Sequence, residues 1–238
     1  MILYYVRHGD PIYNPNQLTG LGMRQAEAVA KRLAVYGVDR IYASPSNRAR
    51  QTAQPLCELM KLEPRLLDWC DEDLAFRDLV MQKEDGGVTW VFRHPEGKAL
   101  LNSNAVRVLG REWYTHPSFA GTNFGPGINR IQQEADSFLA SLGYRHDLEN
   151  NCYYAQPGND ERIALFAHEG VGAALLSCML DIPYPIFSTR FEMTHSSVTV
   201  IEFLEQDGIV IPRVLTYSND SHLYRDGLPT KHQNRLYI

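Results

Sequence analysis

Twice in this chain a short apolar run stops abruptly on a histidine-bearing polar turn. ILYYV at 2–6 runs into Arg7-His8-Gly9, and IALFA at 163–167 runs into His168-Glu169-Gly170. Runs this short, rich in β-branched and aromatic residues and cut off by charge and glycine, read as strands buried on both faces. After the first, Thr19 is placed to cap a helix in which Ala26, Val29, Ala30 and Leu33 keep 3, 4 and 7 spacing until Gly37 stops it. RIYA at 40–43 reads as a second strand, and Ser44-Pro45 has the composition of an N-cap and first helical residue for a helix through Ala49, Ala53, Leu56 and Met60. The second run is followed by VGAALLSCML, another helix. Strand, helix, strand, helix is the order of a wound α/β fold.

In open sheets of this class the ligand crevice lies beyond the carboxyl ends of the strands. The first strand delivers Arg7 and His8 there, the second delivers Arg48 in the first turn of its helix, and IALFA delivers His168. Two arginines and two histidines in one low-dielectric cleft repel one another unless an anion joins them. Arginine forks suit phosphate, and helix N-termini after 44 and 168 add oriented N–H groups. Gly9 is expected to let the backbone approach the anion closely. A neutral imidazole near pH 7 can attack phosphorus and form a phosphohistidine, so His8 is the candidate nucleophile. Arg7, Arg48 and His168 then neutralise the transferring group, and this design requires neither metal nor cofactor. For the leaving group's proton the best candidate lies in DWCDEDLAF at 68–76, where Glu72 sits in an acidic cluster between apolar residues; Asp71, Asp73 and Glu169 stay open as alternatives.

Charge and composition limit the partners. Net charge is −5 with no polybasic block, which argues against nucleic acid and anionic membrane. No run of about eighteen apolar residues occurs, and the apolar N-terminal stretch is too short for a signal segment. The four cysteines, Cys57, Cys70, Cys152 and Cys178, lack zinc-type spacing and are too few for a disulfide scaffold, which points to a reduced, cytoplasmic protein. At 238 residues the chain is long enough for one sizeable core, so one domain spanning 1–238 is expected. Oligomeric state is not legible.

The ordered motifs resemble the histidine phosphatase superfamily, the phosphoglycerate-mutase-like family. They are the strand into VRHG with Asn14 six residues after the histidine, LTGLGMRQA at 18–26, SPSNRARQTA at 44–53, the strand ending at His168, and SSVTVIEF at 196–203 with SNDSHL at 218–223. The resemblance implies a three-layer α/β/α sandwich around a mostly parallel sheet. It implies His8 as the phosphorylated residue, Arg7, Arg48 and His168 as the phosphate pocket with Asn14 assisting, and Glu72 as proton donor. Only Pro15, Asn16 and Gln17 separate Asn14 from the LT motif, where family mutases usually carry a longer stretch. That favours a phosphomonoesterase acting on a small phosphorylated metabolite over the alternatives, a phosphoglycerate-type mutase or a noncatalytic phosphoryl-ligand binder.

Late in the chain SVTVIEFL at 197–204 and IVIPRVL at 209–215 read as two strands, with a hairpin turn near Asp207-Gly208, and helical spacing recurs over 128–142. Residues 80–127, with Trp90, Phe92, Trp113 and Phe119, show no clear period and are expected to form an inserted, cap-like segment with its own small core. The histidines at 94, 116, 146, 195, 222 and 232 lack metal-ligand spacing.

Overall fold

A computed structural model of the protein describes residues 1–156 and 158–232. Six strands form the central sheet: β1 (Ile2–Arg7), β2 (Arg40–Ala43), β3 (Arg65–Leu66), β4 (Arg162–Ala167), β5 (Val198–Glu202) and β6 (Arg213–Asn219), in the order β6-β5-β1-β4-β2-β3. β1, β4, β2 and β3 run parallel, while β5 pairs antiparallel with both β1 and β6. The register sets Arg7 opposite Ala167, so the residues that follow, His8 and His168, emerge side by side.

Alternation along the strands builds the layers. On β1 and β4, Tyr4, Val6, Ala164 and Phe166 join one apolar cluster with Val29, Ala30 and Leu33 of α1 (Gly20–Tyr36) and Ala53 and Leu56 of α2 (Asn47–Met60). Leu3, Tyr5, Ile163 and Leu165 join the other cluster. There they meet Ile131, Ala135 and Phe138 of α5 (Phe124–Ser141) and the leucines of α6 (Glu169–Met179), once α3 (Glu72–Asp78) and α4 (Pro95–Asn102) have intervened in the chain. β1 and β4 therefore bury both faces, and the fold is the expected α/β/α sandwich around a mostly parallel sheet. Every residue of α6 is buried, which explains why all but Glu169 and Ser177 are glycine or apolar.

Local signals act largely as expected. Thr19 caps α1 by accepting from the Gly22 N–H, and Gly37, at φ +82°, ends it by donating to Leu33 O. α2 differs: its cap is Ser46, not Ser44, and Asn47 is its first residue. The Ser44 hydroxyl instead lies 2.8 Å from His168 Nε2 and accepts from the Ser46 N–H at 3.3 Å, ahead of the helix. Asp207 and Gly208 do form a turn, but between Glu205–Gln206 and Ile209–Val210. Pro212 has no N–H for a ladder and separates that hairpin from β6, which returns to β5.

Residues 80–127 do not have the expected core of their own. They form a hairpin (Val80–Gln82 with Val88–Trp90), α4 and short helical turns. Their Trp90, Phe92, Trp113 and Phe119 are buried in the same cluster as Leu3, Tyr5 and Ile201. The four cysteines are free and buried. Among the described residues no helix is long and apolar enough to cross a membrane.

Candidate active site

The carboxyl ends of β1 and β4 are locked together before any side chain is considered. His8 N–H donates to Ala167 O at 2.9 Å, and the Tyr5 hydroxyl donates to His168 O at 2.6 Å. Gly9 serves this framework. A Cβ there would lie 2.7 Å from Gly22 O, so the missing side chain lets the turn after β1 cross the first turn of α1.

His8 and His168 are both buried, with ring centroids 5.1 Å apart. His8 Nδ1 lies 2.7 Å from Gly9 O. A carbonyl only accepts, so Nδ1 carries the proton and the lone pair is on Nε2. Burial, then His168 and Arg7, push the His8 pKa well below its ordinary value, so the imidazole is neutral. Burial, then Arg48 and Arg7, do the same to His168. Its Nε2 faces the hydroxyls of Ser44 at 2.8 Å and Ser46 at 3.4 Å. Its Nδ1, 3.2 Å from Glu72 Oε2, is too far off line to bond and has no hydrogen-bond partner.

Arg7 and Arg48 are buried around these rings, whereas Arg50 points to solvent. Arg7 Nη1 donates to Met193 O and lies 3.1 Å from Glu169 Oε2. Arg48 Nη1 donates to Asn16 Oδ1 at 3.2 Å, and its guanidinium lies over the Tyr13 ring. The Nε atoms of both arginines are buried without a partner among the described residues. Three unpartnered buried polar atoms thus belong to residues surrounding His8, an arrangement able to accept a polar ligand.

Glu72 stands in the first turn of α3, its side chain 15% exposed. Its Oε1 accepts from the Gly170 N–H at 2.8 Å and the Val171 N–H at 3.3 Å. The N-terminus of α6, expected to face an anion directly, therefore holds this carboxyl group. Oε2 is left facing His168 Nδ1 and Arg48 Nη2, the latter at 3.6 Å. Burial raises the Glu72 pKa; Arg48, Arg7 and the two amides pull it down, and burial wins. The other carboxylates have different employment. Asp71 caps α3, Asp73 is exposed, and Glu169 pairs with Arg7 and Arg93. His8, Glu72 and His168 also offer ligand atoms within 4.8 Å of one another, a cluster of a size to hold a metal ion that sequence spacing did not reveal.

A profile of the histidine phosphatase superfamily (branch 1) matches residues 3–76, the stretch that carries Arg7, His8, Arg48 and Glu72. A probable phosphoglycerate mutase of Yersinia pestis is 28% identical over 47% of this chain, and the match spans 59% of that relative's length. The mycobacterial glucosyl-3-phosphoglycerate phosphatase solved with inorganic phosphate has a TM-score of 0.60 at 23% identity, covering 93% of this chain and 98% of that one. The Entamoeba histolytica phosphoserine phosphatase solved with phosphoserine gives 0.58 at 19% identity, with the same coverage of each chain. Residues 3–76 thus resemble the histidine phosphatase superfamily, and the fold of the chain is that of the histidine phosphatases. That superfamily contains phosphatases and phosphomutases.

In this histidine phosphatase fold, sequence reasoning placed Asn14 at the phosphate, but its side chain is exposed and it is Asn16 that reaches Arg48. It missed His195, whose Nε2 is 2.9 Å from Arg7 Nη2, and Arg93, whose Nη2 is 2.6 Å from Glu169 Oε2. Neither had a local motif to betray it. Arg93 and Glu169 also line an adjoining cavity of about 370 Å³, with Lys98 of α4, Phe92, and Arg190 at the end of α7 (Tyr184–Arg190).

Proposed function

We propose that this protein is a cytoplasmic phosphomonoesterase that hydrolyses a small phosphorylated metabolite through a phosphohistidine on His8, without a metal or other cofactor. The observation that carries this reading is the His8 imidazole, neutral with its Nε2 lone pair free, among unpartnered buried N–H groups of Arg7 and Arg48 and beside a carboxyl of raised pKa. In the first step the Nε2 lone pair forms the N–P bond as the P–O bond to the leaving group breaks, and Glu72 gives its proton to the departing oxygen. In the second, Glu72 takes a proton from water, the water oxygen bonds to phosphorus, and the N–P pair returns to Nε2. Arg7, Arg48 and His168 hold the equatorial oxygens throughout; as a neutral imidazole His168 contributes a hydrogen bond rather than a charge. The cavity beside Glu169, within the size range of small-molecule sites, accepts the rest of the substrate.

The test is release of inorganic phosphate from p-nitrophenyl phosphate and a metabolite panel with chelator present, wild type against His8→Ala. Chelator-resistant turnover that disappears in the variant supports the reading; chelator-sensitive turnover would instead assign the His8–Glu72–His168 cluster to a metal. The name of the Yersinia relative favours a second reading, a mutase returning the phosphoryl group to another hydroxyl. Positional transfer without net phosphate release would establish it.

A further inference from the structure

We propose that Asp10 and His195 act as one positioning unit for Arg7, a carboxylate–imidazole–guanidinium chain that presets the phosphate-binding fork. This rests on the phosphoryl-transfer reading of the site. Arg7 can only donate, so His195 Nε2, 2.9 Å from Arg7 Nη2, must accept, which leaves the imidazole proton on Nδ1. Nδ1–H faces Asp10 Oδ1 at 3.6 Å, beyond hydrogen-bond distance, so the neutral ring is oriented by the carboxylate's charge, which Lys231 Nζ also approaches at 3.7 Å. Asp10 is itself fixed: its Oδ2 accepts from the Thr19 hydroxyl at 2.8 Å, and its N–H donates to Gln25 Oε1 at 2.7 Å. The chain thus runs from the cap of α1 to the phosphate pocket.

The loop carrying His195 is tied on both sides. The Thr194 N–H donates to Ser218 Oγ at 2.9 Å, the Thr194 hydroxyl donates to Asp220 Oδ2 at 3.0 Å, and the Ser196 N–H donates to His8 O at 3.0 Å. The closing segment SNDSHL therefore helps hold His195 beside His8, ring centroids 5.6 Å apart. Burial, then Arg7, lower the His195 pKa to about 3, which keeps Nε2 an acceptor at working pH. With Nη1 committed to Met193 O and Glu169, and Nη2 held by His195, Arg7 has its orientation set before any anion arrives.

The experiment compares His195→Leu, His195→Gln and Asp10→Asn in two assays, calorimetric binding of inorganic phosphate and hydrolysis of p-nitrophenyl phosphate. Leucine keeps the bulk without an acceptor, while the glutamine amide oxygen reaches where Nε2 lies. His195→Leu is expected to weaken phosphate binding and kcat/KM about 10- to 100-fold, the scale of a misplaced contact group. His195→Gln should stay within about 3-fold of wild type, and Asp10→Asn should matter in the wild type but not on the leucine background. Thermal midpoints identify any variant that fails to fold; if leucine does, Asp10→Asn against His195→Gln decides. Equal losses with leucine and glutamine, or unchanged phosphate affinity with leucine, would overturn the unit. Wild type that binds phosphate but hydrolyses nothing refutes the phosphatase reading, while phosphate affinity still decides this one.

Discussion

Two buried histidine clusters in this molecule are built oppositely. At the ends of β1 and β4, His8 and His168 are surrounded by Arg7 and Arg48, and both pKa values fall. Far along the chain His146 stacks on Tyr153 at 4.0 Å between Asp136, 2.7 Å from Nδ1, and Asp181, 3.2 Å from Nε2. Burial lowers its pKa, but the hydrogen bonds and charges of the two carboxylates outweigh burial and raise it to about 9. One cluster contains its own anions and is complete. The other sets Glu72 and Glu169 beside Arg7, Arg48 and neutral rings and still leaves buried donors unpartnered, the arrangement the proposed function assigns to an incoming phosphoryl group.

The strongest way to break this contrast is His8→Ala, which should abolish turnover by about 10³-fold or more while leaving phosphate binding by the arginines measurable. Glu72→Gln follows. We expect a loss on the order of 10²- to 10⁴-fold for alkyl phosphates; with p-nitrophenyl phosphate, whose leaving group departs without a proton, formation of the phosphohistidine should be far less slowed and the loss should fall on its hydrolysis. Because the Glu72 pKa is raised, wild-type activity on alkyl phosphates should fall as pH rises through it, and Glu72→Gln should lack that limb.

At the complete cluster the readout is stability, not activity. A histidine whose folded pKa is raised stabilises the fold fully below its unfolded value near 6.5, and that contribution is lost as pH climbs through about 9. His146→Leu should lower Tm by on the order of 5–10 °C at pH 6 by leaving Asp136 and Asp181 without their shared cation. The Tm difference from wild type should shrink toward pH 10, with kcat unaltered at 25 °C. The smallest effects belong to the loop before α1: Asn16→Ala should raise KM by about 3- to 10-fold through Arg48, and Asn14→Ala by less than about 2-fold.

These contrasts also explain what a reader of the sequence could see. Strands ending on His8 and His168 were legible because a strand buried on both faces is an uninterrupted apolar run, and the polar turn marks its end. The convergence of Arg7 and Arg48 followed from where such strands must deliver their next residues. Glu72 was found only as one carboxylate among several, since its selection depends on amides donated by a helix nearly a hundred residues away. His195 was invisible because an irregular loop has no period. Residues 80–127 were misjudged because their aromatics serve the shared core through short, irregular elements, so neither a helical nor a strand repeat had room to show.

The most direct test of the central claim is to trap the intermediate: rapid mixing with substrate, alkaline quench, and mapping of the phosphorylated peptide by mass spectrometry. The account predicts a base-stable, acid-labile phosphoryl group on His8, formed faster than steady-state turnover and accumulating when Glu72→Gln slows its hydrolysis. Steady turnover with no phosphoryl group on His8, or one that persists in His8→Ala, would contradict it.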